Sequence, residues 1–177
     1  GGYWAWGGES NRPGRAVAGH VHGVFIDGEG RLAAGGGEGV PGLLGHGEGV
    51  TRLNTPTRLP SMLGGERAVS VSAGDMYSLA LAADGVWSWG SGGFGKLGHG
   101  DHQDQWQPKK IEAFAGQRVV AVSAGDSHSL ALTADGAVWS WGRGGQGRLG
   151  HGDEQNQLLP KKSTPSTGVS LLCRLED

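Results

Sequence analysis

The first candidate for chemistry is the stretch WGSGGFGKLGHGD at residues 89–101, in which residues 90–96 read G-x-x-x-x-G-K. That pattern is most of a phosphate-binding loop, whose backbone N–H groups and lysine cradle a nucleotide. Such a loop also needs a serine or threonine after the lysine and a helix after the loop. Leu97 follows Lys96, no amphipathic helical pattern comes next, and a second copy of the loop replaces the lysine with Arg148. The stretch is therefore interpreted as a glycine-rich turn, and no cofactor is predicted.

Histidine is the second residue type here that could do chemistry. His46, His99 and His151 each lie in a recurring Leu-Gly-His-Gly motif, and three histidines raise the question of a metal site. Because each copy of the motif offers one histidine, they are expected to be spread around the fold, and no metal is predicted. His128 has no nucleophile or substrate-binding partner recurring near it, as a general base requires. No catalytic residue is predicted, and the chain is not expected to be an enzyme.

These motifs belong to an internal repeat of about 50 residues. The segments 69–110 and 120–162 agree at most positions, and a degenerate copy precedes them at residues 17–47. That copy keeps the Leu-Gly-His-Gly motif but has Ala33, Ala34 and a run of glycines where the later copies have tryptophans. The repeat, rather than any single motif, therefore has to position the candidate residues.

The chain opens with YWAWGG at residues 3–8, which resembles the VWSWGS of a later copy. The repeats predict five segments: a remnant of a preceding repeat at 1–16, a degenerate repeat at 17–66, two clear repeats at 67–117 and 118–162, and a non-repeat tail at 163–177.

Each repeat is expected to form about four short strands. In the last copy, residues 129–133 alternate as a half-buried strand does. Asp135-Gly136 is typical of a hairpin turn, and Pro160 suits an edge strand. A sheet this small cannot bury both faces alone, whereas sheets stacked around an axis can, which favours a β-propeller. The 37 glycines fit the many tight turns of such a fold.

Composition excludes several classes. The net charge of −2 gives no basic excess for direct nucleic-acid binding. The single cysteine, Cys173, excludes an internal disulfide framework and fits a reducing compartment. No apolar run has transmembrane length, so neither a membrane segment nor a membrane partner is predicted. We expect an intracellular protein of the cytoplasm or nucleus, and the oligomeric state is left open.

The stretch VSAGDSHSLAL at 122–132, followed by Asp135-Gly136, Trp141-Gly142 and Leu-Gly-x-Gly, resembles the regulator of chromosome condensation repeat. Two copies depart from the pattern, with Tyr77 where histidine is expected and Val17 where a small residue is expected. Members of that family form seven-bladed propellers. The resemblance therefore implies an all-β, incomplete propeller of about three four-stranded blades plus an N-terminal strand fragment, as part of a longer propeller.

The resemblance also assigns roles to residues. The structural positions of the repeat are Gly19, Gly74, Gly125, His22, Tyr77, His128, Trp89, Trp141, Gly90 and Gly142. In exchange-factor members, the residues between the repeat glycine and the histidine lie on the face that meets the GTPase. The corresponding partner-facing residues here are His20, Val21, Asp75, Met76, Asp126 and Ser127.

Three functions follow from the resemblance. The first is a non-enzymatic scaffold for a protein partner. The second is a guanine-nucleotide exchange factor for a Ran-like small GTPase, and the third is the regulatory propeller of a HECT-type ubiquitin ligase whose catalytic domain is not in this sequence. A light-sensing branch of the family carries tryptophans between the glycine and the histidine. Asp75-Met76 and Asp126-Ser127 occupy those places here, which disfavours a photoreceptor.

Overall fold

The structure, a computed structural model, describes residues 14–37, 39–60 and 65–163. Most of the predicted N-terminal remnant, and all of the predicted tail except Ser163, lie outside the described residues. Cys173 and the YWAWGG motif lie outside them as well.

The described chain folds into three four-stranded antiparallel sheets, each formed by consecutive strands. Blade 1 contains β1 (Arg15–Ala18), β2 (His22–Ile26), β3 (Leu32–Gly36) and β4 (Leu53–Arg58). Blade 2 contains β5 (Ala68–Ala73), β6 (Tyr77–Ala82), β7 (Gly85–Gly90) and β8 (Gln105–Lys110). Blade 3 contains β9 (Val119–Ala124), β10 (His128–Thr133), β11 (Val138–Gly142) and β12 (Gln157–Lys162). Short 3-10 turns lie at Gly93–Gly95, Glu112–Phe114 and Gly145–Gly147.

The prediction of an all-β chain with three four-stranded blades is confirmed. Blade 1 begins inside the segment 1–16 that the repeats assign to a preceding remnant, because Arg15 and Ala16 pair with Ile26 and Phe25 of β2. None of the helical turns in the described residues has the length or hydropathy of a membrane-spanning helix.

A turn aspartate closes the hairpin between the second and third strands of each blade. In blade 3, Asp135 accepts hydrogen bonds from the Thr133 hydroxyl and the Ala137 amide, and Gly136 takes the positive φ of 83° that this turn requires. Blade 2 uses a turn shorter by one residue, whose Asp84 accepts from Trp87 Nε1 and from the Lys110 ammonium at 2.8 Å. The last bond joins the hairpin to the outer strand of its own sheet.

Burial along the second strand shows how the blades stack. Every residue of β6 is buried, whereas β2 and β10 alternate between buried and half-buried residues. Within the described residues, the middle blade is therefore covered by a neighbouring blade on both faces, and each outer blade on one. One core lies between blades 1 and 2 and a second between blades 2 and 3.

The two faces of a blade have different chemistry. Towards the preceding blade, blade 2 presents Trp87 and Trp89, which are buried against Val24 and Leu44 of blade 1. Towards the next blade it presents an aliphatic face with Tyr77 at the end, which packs against blade 3. The core between blades 2 and 3 repeats this arrangement, with a tryptophan face meeting an aliphatic face.

Hydrogen bonds from the first residue of the second strand join blade 1 to blade 2 and blade 2 to blade 3. His22 Nε2 lies 2.8 Å from Ser78 Oγ of blade 2. Tyr77 takes the same place one blade later, and its hydroxyl donates to the His128 carbonyl at 2.6 Å and contacts Ser129 Oγ at 2.9 Å. The tyrosine that departs from the repeat pattern therefore keeps the contact between blades.

Tyr77→Phe should destabilise the junction of blades 2 and 3, because it removes the hydroxyl that donates to the His128 carbonyl and contacts Ser129 Oγ across that junction. We expect a loss of about 1–2 kcal/mol in the free energy of unfolding, measured by chemical denaturation. Ser123→Ala is the control, since Ser123 is exposed on blade 3. Equal stability of the two variants would contradict this account of the junction.

His22 should make the fold sensitive to acid. Burial lowers its pKa from 6.5 to about 4, with the nearby Asp75 opposing that shift. The native state therefore favours the neutral ring. The contribution of His22 to the free energy of unfolding is complete above pH 6.5 and is lost as pH falls from 6.5 towards 4. We expect a loss of about 1–3 kcal/mol across that interval. Denaturation curves at pH 7.5 and 4.5 should show a smaller loss for His22→Gln than for the unchanged chain; an identical loss would exclude His22 as a contributor.

Candidate functional site

The candidate site is formed by two sets of loops that meet at one edge of the blades. The Met76 carbonyl, between β5 and β6, accepts from the Ser91 amide at 2.8 Å, and Ser91 begins the glycine-rich loop after β7. The Ser127 carbonyl accepts from the Arg143 amide in the same way at 2.9 Å. We call this side of the molecule the loop edge. The hairpins between second and third strands lie at the opposite edge.

Glycine is required where these loops touch the next blade. A Cβ on Gly74 would collide with the Tyr77 ring and with the Gly125 carbonyl of blade 3. Gly90 has a φ of 103°, and a Cβ there would lie 2.6 Å from the Met76 carbonyl oxygen. The glycines of the repeat pattern therefore allow loops and blades to approach within backbone contact.

Three predicted partner-facing residues hold equivalent places at the loop edge of successive blades: His20, Asp75 and Asp126. The His20 side chain is 72% exposed and its Nδ1 lies 3.9 Å from Asp75 Oδ1, across the junction of blades 1 and 2. Asp75 is 31% exposed and Asp126 is exposed. The two aspartates therefore face solvent on neighbouring blades.

The other three predicted partner-facing residues are less accessible. Val21 and Met76 are half-buried. Ser127 is only 4% exposed, and its hydroxyl accepts from the Arg148 guanidinium at 3.3 Å. The backbone of Ser127 therefore lies at the loop edge, while its side chain is covered by Arg148.

Lys96 is a residue of this edge that the repeat pattern did not single out. It is 6% exposed, and its ammonium lies 5.1 Å from the centroid of the Tyr77 ring. Burial lowers its pKa, while the charges of Asp75, Asp126 and Asp104 oppose that shift. The lysine of the phosphate-loop-like motif is thus buried at the junction of blades 2 and 3, and a 3-10 turn precedes it instead of a helix following it.

Phe94 was also missed by the sequence reasoning. It is 43% exposed with a φ of 61°, and the Arg143 guanidinium of blade 3 lies 5.1 Å from its ring centroid. The equivalent residue in blade 3 is Gln146, with a φ of 63°. Residue type varies at this position while the backbone does not, so comparing the copies gave no signal.

The histidines of the three Leu-Gly-His-Gly motifs contact hydroxyl or carbonyl groups of their own blades. His99 Nε2 lies 2.8 Å from Ser88 Oγ, and Ser88 donates to the Leu97 carbonyl. Burial lowers the pKa of His99 to about 4. His151 lies 2.9 Å from Ser140 in the same way. In the part of the chain that the structure describes, no three metal-ligating side chains come together.

His46 differs because blade 1 has Ala34 where the later blades have serine. Its two ring nitrogens lie instead 2.9 and 3.0 Å from the carbonyl oxygens of Leu44 and Thr57. The three motif histidines thus contact groups of their own blades.

The residues that remain available at the loop edge are charged side chains, and the backbone that carries them is fixed by hydrogen bonds between loops.

The chain matches the family model of the regulator of chromosome condensation (RCC1) repeat over residues 35–81, 84–132 and 135–171, and a second RCC1 model over 119–148. The matches are offset from the sheets. Residues 84–132 take in β7 and β8 of blade 2 together with β9 and most of β10 of blade 3. The last match continues to residue 171, within the segment that the sequence analysis treated as a non-repeat tail.

Curated proteins with similar sequences include the ultraviolet-B receptor UVR8 of Arabidopsis thaliana, 41% identical over 87% of this chain and 35% of its own length. The human E3 ubiquitin-protein ligase HERC2 is 39% identical over 88% of this chain and 3% of its own length. The mitochondrial RCC1 domain-containing protein RUG3 of Arabidopsis thaliana is 36% identical over 76% of this chain and 28% of its own length. The chain spans about a third or less of each of these relatives.

Among solved structures, yeast RCC1 (Prp20) bound to Kap60 superposes with a TM-score of 0.75 at 23% identity, over 87% of this chain and 37% of that one. That likeness supports the fold. The resemblance expected from the sequence is confirmed by the matched models, which together take in most of the chain. The chain belongs to the regulator of chromosome condensation (RCC1) repeat family.

Proposed function

We propose that this chain is a non-enzymatic, protein-binding scaffold whose partner docks on the loop edge. The observation that supports it most is the repeated placement of His20, Asp75 and Asp126 at equivalent loop-edge positions on three successive blades, where His20 and Asp126 are exposed and Asp75 is partly exposed. One surface thereby presents polar side chains in a row, two of them carboxylates. Function in repeat folds commonly lies in such loops on a fixed scaffold.

The backbone of the edge is held before any partner arrives. The Gly74 amide donates to the Tyr77 carbonyl, and the Gly125 amide donates to the His128 carbonyl, both at 2.9 Å. The charges of Asp75 and Asp126 act on the buried Lys96 ammonium and oppose the lowering of its pKa by burial. A surface that is already ordered loses little conformational entropy on binding, so more of the interaction energy contributes to affinity.

The charge of the edge indicates the kind of partner. The Asp126 carboxylate is exposed, and it takes part in no hydrogen bond or ion pair among the described residues. Among those same residues, Asp75 makes only the long contact with His20. A partner presenting lysine or arginine would therefore meet free carboxylates on blades 2 and 3, and this complementarity would increase the association rate and the specificity.

The two other functions remain proposals of the same site. The structure of Prp20p from Saccharomyces cerevisiae, 23% identical, is described together with that protein's binding to Gsp1p and histones. An exchange factor for a Ran-like small GTPase would use the loop edge to loosen the bound nucleotide. The relative HERC2 is named a ubiquitin ligase, and a ligase propeller would use the edge to hold a substrate protein. Each of these would place the chain in the cytoplasm or nucleus.

Asp126→Lys should weaken partner binding, because it reverses an exposed charge of the loop edge that has no ion pair among the described residues. We expect at least a fivefold loss of the proteins captured by the immobilised chain, measured by quantitative mass spectrometry. Glu112→Lys is the matched control, an exposed acidic residue beside Lys110 at the opposite edge. If both variants capture the same proteins as the unchanged chain, the loop edge is not the docking surface.

A nucleotide-release assay separates the scaffold from the exchange factor. With a Ran-like small GTPase loaded with fluorescent GDP, we expect the chain to leave the release rate unchanged, while chelation of Mg²⁺ serves as the positive control. Acceleration of tenfold or more that Asp126→Ala abolishes would replace the scaffold with an exchange factor acting through the same edge.

A further inference from the structure

The glycine-rich loop of blade 2 carries an aromatic side chain at a place where the backbone suits glycine. Phe94 has a φ of 61° and a ψ of 7°, a left-handed conformation that bulky residues rarely adopt. Its side chain is 43% exposed, and it belongs to neither of the two cores formed by the described residues. Glycine would adopt this backbone without strain, so neither the loop nor the core explains the ring.

The equivalent residue of blade 3 shares the backbone but serves a different purpose. Gln146 has a φ of 63°, and its amide oxygen accepts from the Arg148 guanidinium at 3.1 Å within the same loop. The Phe94 ring can make no such bond. Its side-chain contact is instead with the next blade.

The Phe94 ring holds a cation of blade 3 in place. The Arg143 guanidinium carbon lies 5.1 Å from the ring centroid, and the Arg143 amide donates to the Ser127 carbonyl at 2.9 Å. The turn that carries the ring is itself packed on blade 3, because a Cβ on Gly95 would collide with Leu158. A guanidinium over an aromatic face keeps its N–H groups free, since they lie in its own plane.

Arg143 is available to bind an anion. It is exposed, and its side chain takes part in no hydrogen bond or ion pair with the residues that the structure describes. The other two basic side chains of these loops are engaged, because Lys96 is buried and Arg148 donates three hydrogen bonds within blade 3. The free N–H groups of Arg143 match the two oxygens of a carboxylate.

Carboxylates beside this cation restrict the anion that it can bind. Asp126 immediately precedes Ser127, whose carbonyl fixes Arg143. Asp75 lies on the same edge in blade 2 and is 31% exposed. These negative charges repel a phosphate group, with close to two charges, more strongly than a carboxylate, with one. The chemistry therefore favours an acidic side chain over a phosphate.

We propose that Phe94 and Arg143 form an anchoring subsite for an acidic side chain that neighbours an apolar one on the partner of the loop edge. The partner's carboxylate accepts from the Arg143 guanidinium, and its apolar side chain packs on the exposed part of the Phe94 ring. Aromatic and arginine side chains contribute much of the binding energy at interfaces. The inference rests on the proposed scaffold function and adds these groups to the basic ones that meet Asp126.

A peptide selection tests the subsite with defined ligands. Random peptides displayed on phage are selected on the immobilised chain, and the recovered sequences are synthesised with a fluorescent label for anisotropy titrations. We expect these peptides to carry Asp or Glu next to an aromatic or aliphatic residue. Phe94→Gly and Arg143→Gln should each weaken their binding by about tenfold or more.

Gln146→Gly is the matched control, because it places glycine at the same positive φ in blade 3 and leaves both residues of the subsite unchanged. It should bind the peptides like the unchanged chain. Near-ultraviolet circular dichroism shows whether each variant is folded. Phe94→Asn replaces Phe94→Gly if the latter is not, because asparagine also tolerates this backbone.

A change in the peptide separates direct contact from an effect on the fold. Replacing its acidic residue by the corresponding amide should weaken binding to the unchanged chain by about tenfold and leave binding to Arg143→Gln nearly the same, because both changes remove one contact. An equal loss on the two proteins would show that the carboxylate does not meet Arg143 and would overturn the subsite.

The remaining outcomes distinguish this inference from the proposed function. Peptides that bind Phe94→Gly and Arg143→Gln as tightly as the unchanged chain overturn the subsite. If those peptides lose affinity for Asp126→Lys, the loop edge remains the docking surface and the subsite alone fails; if they do not, the proposed function fails with it. An equal loss for Gln146→Gly, or a selection that recovers no binding peptide, also overturns the subsite.

Discussion

The structure depends on the packing of a tryptophan face of one blade against an aliphatic face of the blade before it. Neither sheet could bury its apolar side chains alone, because a four-stranded sheet has two faces and no second layer of its own. Trp89 and Trp141 are both fully buried at such junctions. The loop edge is rigid because the blades beneath it are fixed in this way, so the proposed binding surface is a consequence of the core.

Much of the fold followed from the sequence because its signals are local. Alternation along β10, the Asp135-Gly136 turn and the repeated glycines predict strands and turns from neighbouring residues alone. The places of Asp75 and Asp126 on exposed loops also agree with the repeat pattern, although their role in binding stays a prediction. The local sequence pattern was sufficient to predict strands and turns wherever the residues of one blade determine its conformation.

The remaining features depend on contacts between segments, which the repeat pattern does not encode. Lys96 is buried because Tyr77 and the start of blade 3 surround it. Ser127 is covered because Arg148, from a different loop, lies over it. Both residues occupy loop positions that look exposed in the sequence. Their burial appears only when the glycine-rich loops are placed against the second strands.

The offset between sequence repeat and sheet has a consequence for how such chains can change in length. The unit at 84–132 contributes two strands to blade 2 and two to blade 3. Deleting or duplicating one whole unit therefore leaves every sheet with four strands. At the new junction, the first two strands of one blade are followed by the last two strands of another, and together they form a complete sheet. A chain built this way can gain or lose whole blades by recombination between units while its hydrogen-bonded ladders stay complete.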